Sequence, residues 1–462
     1  MHAHRSHTRP WGKITAGLAI ALAVLAACGS SGGKSSSNTT TPGSTAAQST
    51  AAGIGVTPTT IKIGVALVNF DCIKQFTDQL RINQDKTYQA FIDDLNAKGG
   101  IAGRKIVPVY KSYCPLGSAA PLQVCTSLTQ DEKVFAVIGT FIDFSGDAQT
   151  CVANTNHTIL MTFNLTKQIM DKSPPGYIIY PGVTNERLVN VLLQLAKKEK
   201  TLDGKTVAAV GDTTVANTVH NVIVPGLKNL GVKLGSTAIL SVGTSGDTTQ
   251  AQTQLDSFIE RWKTEGVNAL FMSGDLVSSK QFVEKIKREM PDVQLLVDTT
   301  DALMQGQQET LAHVKPNPYD GMLTATGPTH HEYDQSEHWK YCAAIYEKYT
   351  KQHAPNAEEV VRAPGGKTYD TYGLINDACQ ITSLFHDIAT KVGKYLNNPN
   401  WVNTVNTIGK VDNKGGGQYA SLHTGKYDID DSFRLVAFDS SLAPATGGDW
   451  KPLTPVENIP GQ

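Results

Sequence analysis

Short β-rich runs alternate with amphipathic helical patterns along most of this chain, and this alternation decides its fold class. Residues 61–67 are rich in β-branched side chains and are bounded by turn residues, which predicts a strand. Apolar residues then repeat at helical spacing from 88 to 95, and Gly99 and Gly100 provide a stop signal. Strands and helices that alternate at this spacing predict parallel sheets covered by helices on both faces.

The same alternation continues through the chain. We predict further strands at 105–109, 134–139, 159–163, 206–211, 238–242, 269–273 and 294–298. We predict further helices at 122–128, 145–154, 219–230, 249–265 and 279–290. About 405 residues follow Val56, which is too many for one hydrophobic core and suits two domains.

The alternation breaks near residues 181–182 and again near 327–328, where Pro and Gly interrupt it. The helical region 338–388 then returns most simply to the first sheet, and the polar stretch 411–438 supplies late strands. The predicted fold class is α/β, with two doubly wound parallel-sheet lobes joined by a hinge that the chain crosses several times. The expected parts are lobe 1 (56–181 and 328–405), lobe 2 (182–327 and 406–445) and a C-terminal tail (446–462).

The N-terminus has the order of an export signal. Basic residues open the chain, an apolar stretch of about fourteen residues occupies 14–27, and small residues precede Cys28. Residues 1–28 resemble a bacterial lipoprotein signal peptide, which implies export and acylation at Cys28. A retained transmembrane anchor is the alternative, but a stable span needs about twenty apolar residues.

A tether is predicted at 29–55, because Ser, Thr, Gly and Ala dominate up to Gly53 and cannot bury enough surface to fold. About twenty-five flexible residues reach roughly 25 to 30 Å. With the lipid signal, this places the protein on the outer face of the bacterial cytoplasmic membrane. If Cys28 carries no lipid, the same stretch is a low-complexity tail without an anchoring role.

Charge and cysteine content narrow the function classes. The formal net charge is -1 and there is no long Lys/Arg run, so a nucleic-acid partner is not expected. Seven cysteines are present, and six remain if Cys28 carries the lipid. An even number in an oxidising compartment favours disulfides over free buried thiols. No C-x-x-C pair occurs, so a structural zinc site is not expected.

Six cysteines allow fifteen pairings, and the predicted sheet order selects among them. Cys72 and Cys114 follow the first two strands, whose carboxyl ends should be neighbours. The other four lie on successive predicted helices or in the helical return. We therefore predict the disulfides Cys72–Cys114, Cys125–Cys151 and Cys342–Cys379.

Three motifs carry a family resemblance. They read GVTPTTIKIGVAL at 55–67, FIDDLNAKGGIAGRKIVPV at 91–109 and VFAVIGTF at 134–141. In order and spacing they resemble the leucine/isoleucine/valine-binding branch of type I periplasmic binding proteins. The resemblance implies an extracytoplasmic receptor that closes around a small solute and delivers it to the permease of an ABC importer.

The carboxyl ends of the predicted strands indicate where a ligand would bind, because crevices in open α/β sheets lie there. Several of these ends carry carboxylates, and phenylalanines are interleaved with them. The candidate ligand residues are Phe70, Asp71, Asp143, Phe144, Ser145, Asn164, Thr166, Asp212, Asp275, Asp298, Thr299 and Asp301. Helix capping is the alternative role for any single Asp, since Asp is a preferred N-cap.

Two departures from amino-acid-binding relatives bear on the ligand. The resemblance implies a small hydroxyl residue after VIG, but Asp143 stands there, and Ser145 comes only later. The glutamate that would bind a ligand ammonium is replaced by Thr299. A fixed carboxylate repels a ligand carboxylate by roughly 1 to 4 kcal/mol at about 4 Å. We therefore favour a small polar solute with an amine or hydroxyl groups over a branched-chain amino acid.

The sequence lacks the common motifs of enzyme active sites. The chain has no G-x-S-x-G, no phosphate-binding loop motif and no H-E-x-x-H, so no catalytic residue, cofactor or metal is expected. His330, His331, Glu332, Asp334 and His338 form a grouping that polar hinge residues explain without a metal. One alternative function is that of a sensor or interaction lipoprotein on the same scaffold. An exported enzyme is a further alternative, which is supported only by the fact that one fold can host many functions.

Overall fold

A computed structural model describes residues 49–461 except 76, 78, 144, 164, 242–247, 275–276 and 299–313. The predicted signal segment with Cys28 and most of the predicted tether lie outside the described residues. Five candidate ligand residues also lie outside them, namely Phe144, Asn164, Asp275, Thr299 and Asp301.

The described strands follow the predicted alternation. In chain order they are β1 (Thr60–Val68), β2 (Gln79–Leu80), β3 (Lys105–Tyr113), β4 (Ala136–Gly139), β5 (Ile159–Thr162), β6 (Ile178–Ile179), β7 (Thr206–Asp212), β8 (Lys233–Leu234), β9 (Ala238–Leu240), β10 (Ala269–Ser273), β11 (Gln294–Val297), β12 (Leu323–Thr326), β13 (Thr368–Tyr369), β14 (Gly409–Lys410), β15 (Ser421–Leu422), β16 (Ser432–Asp439), β17 (Asp449–Pro452) and β18 (Glu457–Asn458).

The first sheet contains five described strands in the order β3-β1-β4-β5-β6, all parallel. In β1, every residue from Ile63 to Val68 is buried, which is typical of a central parallel strand covered on both faces. Pro108 lies in β3, at the edge of the sheet, where its missing N–H breaks no ladder.

The second sheet has the order β17-β16-β12-β11-β10-β7-β8, with β9 beside β7 and β18 beside β16. The pairs among β7, β10, β11 and β12 are parallel, whereas β16 runs antiparallel to β12. Strands β17 and β18 belong to the segment that we expected to be a C-terminal tail. Strand β17 packs on the sheet through Trp450, whose ring centroid lies 5.6 Å from that of Phe438, and β18 pairs with Ser432 and Phe433 of β16.

The helices complete the doubly wound pattern. They are Phe70–Ile73, Gln84–Ala97, Ala119–Thr126, Asp147–Thr150, Lys167–Met170, Asn185–Lys198, Ala216–Thr218, Val224–Asn229, Thr249–Glu265, Lys280–Glu289, His330–Gln335, Glu337–Thr350, Thr371–Val392 and Asn398–Thr407. Within the described ranges, three π-helical turns interrupt or extend helices that we predicted as regular, namely Ser127–Asp131, Cys151–Thr155 and Val219–Ile223.

The chain passes between the two sheets three times within the described residues. After β6 it enters Asn185–Lys198, which packs on the second sheet. After β12 it returns to the first-sheet core through Glu337–Thr350 and Thr371–Val392, as predicted. After Asn398–Thr407 it crosses again to β16. The fold class is therefore confirmed as α/β with two doubly wound, largely parallel sheets.

The expected assignment of 406–445 to lobe 2 also differs from the structure. We placed 406–445 in lobe 2, but Val411, Leu422 and Ile429 are buried in the first-sheet core. Local contacts explain this, because the hydroxyl of Tyr427 donates a hydrogen bond of 2.8 Å to Asn406, at the end of the preceding helix. The return to the second sheet thus comes later than we expected, at β16.

The three predicted disulfides are confirmed: Cys72–Cys114, Cys125–Cys151 and Cys342–Cys379, with Cα atoms 5.9, 6.2 and 5.7 Å apart. The first links the loops after β1 and β3, which pair side by side. All three lie in the part of the chain that builds the first sheet and its covering helices.

The first described residues are packed and do not continue the expected tether. Asn397 donates from its amide to the carbonyls of Ser49 and Ala51 at 3.1 and 2.7 Å, and Asn400 donates to Ser49 at 2.8 Å. Residues 49–51 are therefore fixed on the first-sheet part of the chain. Among the described residues, none of the helices combines the length and the apolar character that a membrane crossing requires.

Candidate functional site

The strand ends of the first sheet bring Asp143 and Ser145 together, but they bind each other. Asp143 is buried, and its Oδ1 accepts hydrogen bonds from the Ser145 amide and hydroxyl at 3.1 and 2.8 Å. Its Oδ2 accepts from the Ala148 amide at 2.7 Å. The Ala148 bond satisfies an N–H in the first turn of the helix Asp147–Thr150, whose N-cap is Gly146, so Asp143 supports the start of this helix from a position three residues before the N-cap. Ser145 remains exposed at the surface of the loop.

Asp212 at the end of β7 behaves in the same way. It is buried, and its Oδ1 accepts from the Thr214 amide at 2.8 Å and from the Thr214 hydroxyl at 2.5 Å. Asp298 follows β11 and is also buried. It accepts from the hydroxyl of Ser273 and, at 3.1 Å, from the amide of Gly274, so it ties the end of β10 to the end of β11.

Thr166 follows β5 and caps the helix Lys167–Met170, accepting a hydrogen bond of 3.2 Å from the Ile169 amide. Glu186, which sequence reasoning missed, lies in the first turn of Asn185–Lys198. Its buried carboxylate accepts from the Lys167 amide at 2.8 Å. This bond joins the loop after β5 to the helix that opens the second-sheet part, so Glu186 belongs to the strand-end region.

Phe70 and Asp71 lie after β1 in the short helix Phe70–Ile73. Asn69 caps this helix by accepting from the Asp71 amide at 3.0 Å, and the Cys72–Cys114 disulfide fixes it to the next loop. Phe70 is half-buried, whereas Asp71 is exposed. Among the described candidate residues, Asp71 and Ser145 are therefore the exposed ones.

Arg81 is a second residue that sequence reasoning missed. It lies before the helix Gln84–Ala97 and binds Asp370 at 2.7 Å and Asp377 at 2.6 Å, with little exposure of any of the three side chains. Tyr88 lies nearby, and burial raises the pKa of its hydroxyl. Arg81 thus ties the segment after β2 to the start of the helix Thr371–Val392.

Comparison with known proteins identifies the family. A family profile described as "Periplasmic binding protein" matches residues 82–362, which is more than half of the chain. The chain belongs to this family of periplasmic binding proteins. No curated protein sequence matches it significantly.

Similar solved structures include solute-binding proteins of ABC transporters and a leucine-binding protein. One from Rhodopseudomonas palustris BisB5, in complex with 3,4-dihydroxybenzoic acid, is 16% identical with a TM-score of 0.60, covering 87% of this chain and 98% of its own. A fatty acid ABC transporter substrate-binding protein from Thermomonospora curvata is 16% identical with a TM-score of 0.58, covering 88% of this chain and 95% of its own. A leucine-binding protein from Thermotoga maritima is 15% identical with a TM-score of 0.57, covering 86% and 99%.

In this periplasmic binding protein, charged side chains with little solvent exposure link the segments that cross between the two sheets. Arg187 donates to Asp428 at 2.8 Å and to Asp431 at 2.6 Å, and Lys426 lies 3.2 Å from Asp431. Asp430 accepts a hydrogen bond from Asn413. Burial raises the pKa of Asp430 to about 7, while Arg187 and Lys426 oppose the rise. We name the set of Arg187, Lys426, Asp428, Asp430 and Asp431 the hinge cluster.

The histidine-rich grouping at 330–338 does not form one cluster in this periplasmic binding protein, because its side chains bind separate partners. The Nδ1 of His331 lies 3.2 Å from Glu358, and the Nε2 of His338 lies 3.1 Å from Asp412. Glu332 caps its helix and pairs with Arg434. Across the described part of the chain, no three His, Cys, Asp or Glu side chains are placed to hold a metal ion.

A groove of about 360 Å³ runs along the helix Gln84–Ala97 and the edge strand β3, with Tyr110, Tyr346 and Asp93 in its wall. None of its lining residues is a candidate ligand residue. The groove is therefore distinct from the strand ends, where parallel α/β sheets bind their ligands.

Proposed function

We propose that this protein is a lipid-anchored, extracytoplasmic solute-binding protein that closes around a small polar ligand and delivers it to an ABC importer. The family match over 82–362 carries the proposal. Within its described residues, the chain passes three times between two sheets, and this is the fold in which such closure occurs. The N-terminal segment supplies the predicted signal for export and for acylation at Cys28.

The ligand we propose is a small solute that bears an amine or several hydroxyl groups. Asp71 and Ser145 are exposed at the strand ends of the first sheet and offer polar contacts. Asp275, Thr299 and Asp301 are proposed as contacts from the second sheet on sequence grounds, as are Phe144 and Asn164 from the first. The aromatic residues would cover the apolar part of the ligand.

A thermal-shift screen against amines, polyols, sugars, amides and amino acids, followed by calorimetry, tests the binding function. A ligand at a hundred times its Kd stabilises the folded protein by about 2.7 kcal/mol, which a shift in melting temperature reports. Failure of all five classes to shift the melting temperature would contradict the proposal.

Membrane fractionation tests the anchor. We expect Cys28→Ala to release the protein from the membrane while the released protein keeps its melting temperature and its ligand. Ser30→Ala is the matched control, because it changes a residue two positions after Cys28 and leaves the predicted lipid acceptor and all three disulfides intact. A Cys28→Ala protein that stays in the membrane fraction would indicate a retained signal helix or a protein partner.

A further inference from the structure

The segment that leads back toward Cys28 enters the folded body at the amino ends of the first-sheet strands. Residues 49–51 are fixed there, the Gly53 amide donates to the Leu396 carbonyl at 3.0 Å, and β1 then begins at Thr60. The candidate ligand loops of this sheet follow the carboxyl ends of the same strands. The nine residues of β1, at about 3.3 Å each, separate the two ends by roughly 30 Å.

Cationic residues lie on both sides of this entry segment. Arg104 donates from Nε to the Thr57 carbonyl at 2.8 Å and from Nη2 to the Lys394 carbonyl at 2.9 Å. The next residue, Lys105, donates from its amide to the Thr59 carbonyl at 2.9 Å. Three positive charges therefore lie beside residues 57–59.

Lys133 adds a fourth positive charge from the loop before β4. A Cβ added at Gly55 would lie 2.9 Å from the Lys133 carbonyl, so the entry segment passes directly beside this lysine. The three lysines are exposed and the arginine is half-buried. We name the set of Arg104, Lys105, Lys133 and Lys394 the basic collar.

The charge of the basic collar is not neutralised locally. Among the described residues, no carboxylate forms an ion pair with any of its members. Glu132 is adjacent to Lys133 in the chain but pairs with Lys62 at 3.5 Å, and Asp131 adds one exposed negative charge. Because the formal net charge of the chain is -1, an anionic surface would be attracted to the collar rather than to the protein in general.

The length of the chain before Ser49 brings this surface within reach of a membrane. The composition of residues 29–48 predicts a flexible tether, and its twenty residues reach about 25 Å. An acyl chain on Cys28 would therefore keep the basic collar close to the lipid headgroups. Basic residues near an anionic membrane surface add their attraction to that of an acyl chain.

We propose that the basic collar docks the folded body on the anionic headgroups of the membrane in which the acyl chain of Cys28 is inserted. The ligand loops of the first sheet then face away from the bilayer, because they lie at the other end of the strands. The inference rests on the proposed lipid anchor and deepens it, since it assigns the surface of the protein that faces the membrane.

Sedimentation with lipid vesicles tests the collar without the acyl chain. The soluble Cys28→Ala protein is mixed with vesicles of phosphatidylcholine, either alone or with phosphatidylglycerol added. We expect it to bind the anionic vesicles more tightly. Lys105→Gln, Lys133→Gln and Lys394→Gln together should weaken that binding about 10- to 100-fold, because each lysine near an anionic surface contributes about fivefold. Arg104 stays in place because its side chain holds two backbone carbonyls.

A matched control removes the same charge elsewhere. Lys197→Gln, Lys228→Gln and Lys233→Gln change three exposed lysines of the second-sheet part and should leave vesicle binding nearly unchanged. Both triple variants should keep the melting temperature of their parent, since the changed side chains are exposed. High salt should abolish the binding that the collar provides.

Hydrogen exchange on the native acylated protein tests the orientation. On anionic vesicles, peptides that contain the collar residues should exchange more slowly than on neutral vesicles. Peptides of the Asp143 loop should exchange at the same rate on both. Slower exchange in the Asp143 loop and not at the collar would overturn the proposed orientation.

The remaining outcomes separate the inference from the proposed anchor. If Cys28 is acylated and the collar variant binds anionic vesicles as tightly as its parent, the inference fails and the anchor stands. Mass spectrometry that finds no acyl chain on Cys28 would contradict the anchor, whatever the vesicles show. Binding to isolated membranes that protease treatment of those membranes abolishes, without binding to vesicles, would assign the collar to a membrane protein and overturn docking on lipid.

Discussion

The two halves of this protein use parallel sheets of similar design but are secured differently. The first-sheet half contains all three disulfides, and its helices return from residues far along the chain. The second-sheet half has no disulfide among its described residues and extends its parallel strands with the antiparallel strands β16, β17 and β18. One half therefore relies on covalent links between distant helices and loops, whereas the other relies on added strands.

Between the halves, the hinge cluster differs from the strand ends in the partners of its carboxylates. Strand-end carboxylates bind backbone N–H groups, but Asp428 and Asp431 bind Arg187 and Lys426. A carboxylate that accepts hydrogen bonds from a nearby loop stabilises only that loop. A carboxylate that pairs with a cationic side chain from a distant segment joins the two segments. The hinge is therefore the place where one substitution should affect both halves.

Arg187→Met should have the largest effect. The substitution leaves Asp428 and Asp431 buried without their main cation, and breaking such a pair costs about 3 to 5 kcal/mol. We expect urea denaturation to show this loss of unfolding free energy. Lys198→Met is the matched control on the same helix, since its pair with Glu457 is more exposed and contributes about 1 kcal/mol or less. Equal losses in the two variants would show that the hinge cluster stabilises the fold no more than an exposed ion pair does.

Removal of one disulfide should have a smaller effect that is confined to one half. Cys342→Ser with Cys379→Ser opens a link between two helices of the first-sheet core and should cost about 2 to 4 kcal/mol. Hydrogen exchange resolved by peptide should show faster exchange in Glu337–Thr350 and Thr371–Val392. Peptides of β7 and β10 should be unaffected. A uniform increase across both halves would mean that they unfold as one unit.

The sequence predicted most of the fold because long elements leave strong periodic patterns. Thr249–Glu265 and Ala269–Ser273 have the predicted limits, since a helical repeat marks the first and a short apolar run between Asn268 and Gly274 marks the second. Strand β17 was missed because its sequence, Asp-Trp-Lys-Pro, has no apolar or β-branched run and lies in a segment without a repeat. The π-helical turns carry no pattern distinct from that of a regular helix.

The candidate site was harder to predict because residue type alone does not show which partner a side chain binds. Asp143 and Asp212 were expected as ligand contacts or as caps, and their bonds to Ala148 and Thr214 depend on the backbone path of each loop. Arg187 was missed because its partner Asp428 lies 241 residues away. A single charged residue at a helix start gives no signal for such a pair.

The smallest predicted effect is the pH dependence that Asp430 gives to the hinge. Burial raises its pKa to about 7, above the value near 3.9 of an unfolded aspartate. The native state therefore binds the proton more tightly, and this contribution to stability is lost as the pH rises toward 7.

Asp430→Asn cannot ionise, so its stability relative to the native protein should increase between about pH 4 and pH 7 and level off above. We expect a gain of about 1 to 2 kcal/mol, less than the full shift implies, because solvent reaches this half-buried side chain. Urea denaturation at each pH measures the gain, and Asp171→Asn at an exposed ion pair is the control. A relative stability that does not change with pH would mean that Asp430 is ionised throughout this range and that Arg187 and Lys426 outweigh its burial, which would make the hinge cluster insensitive to pH.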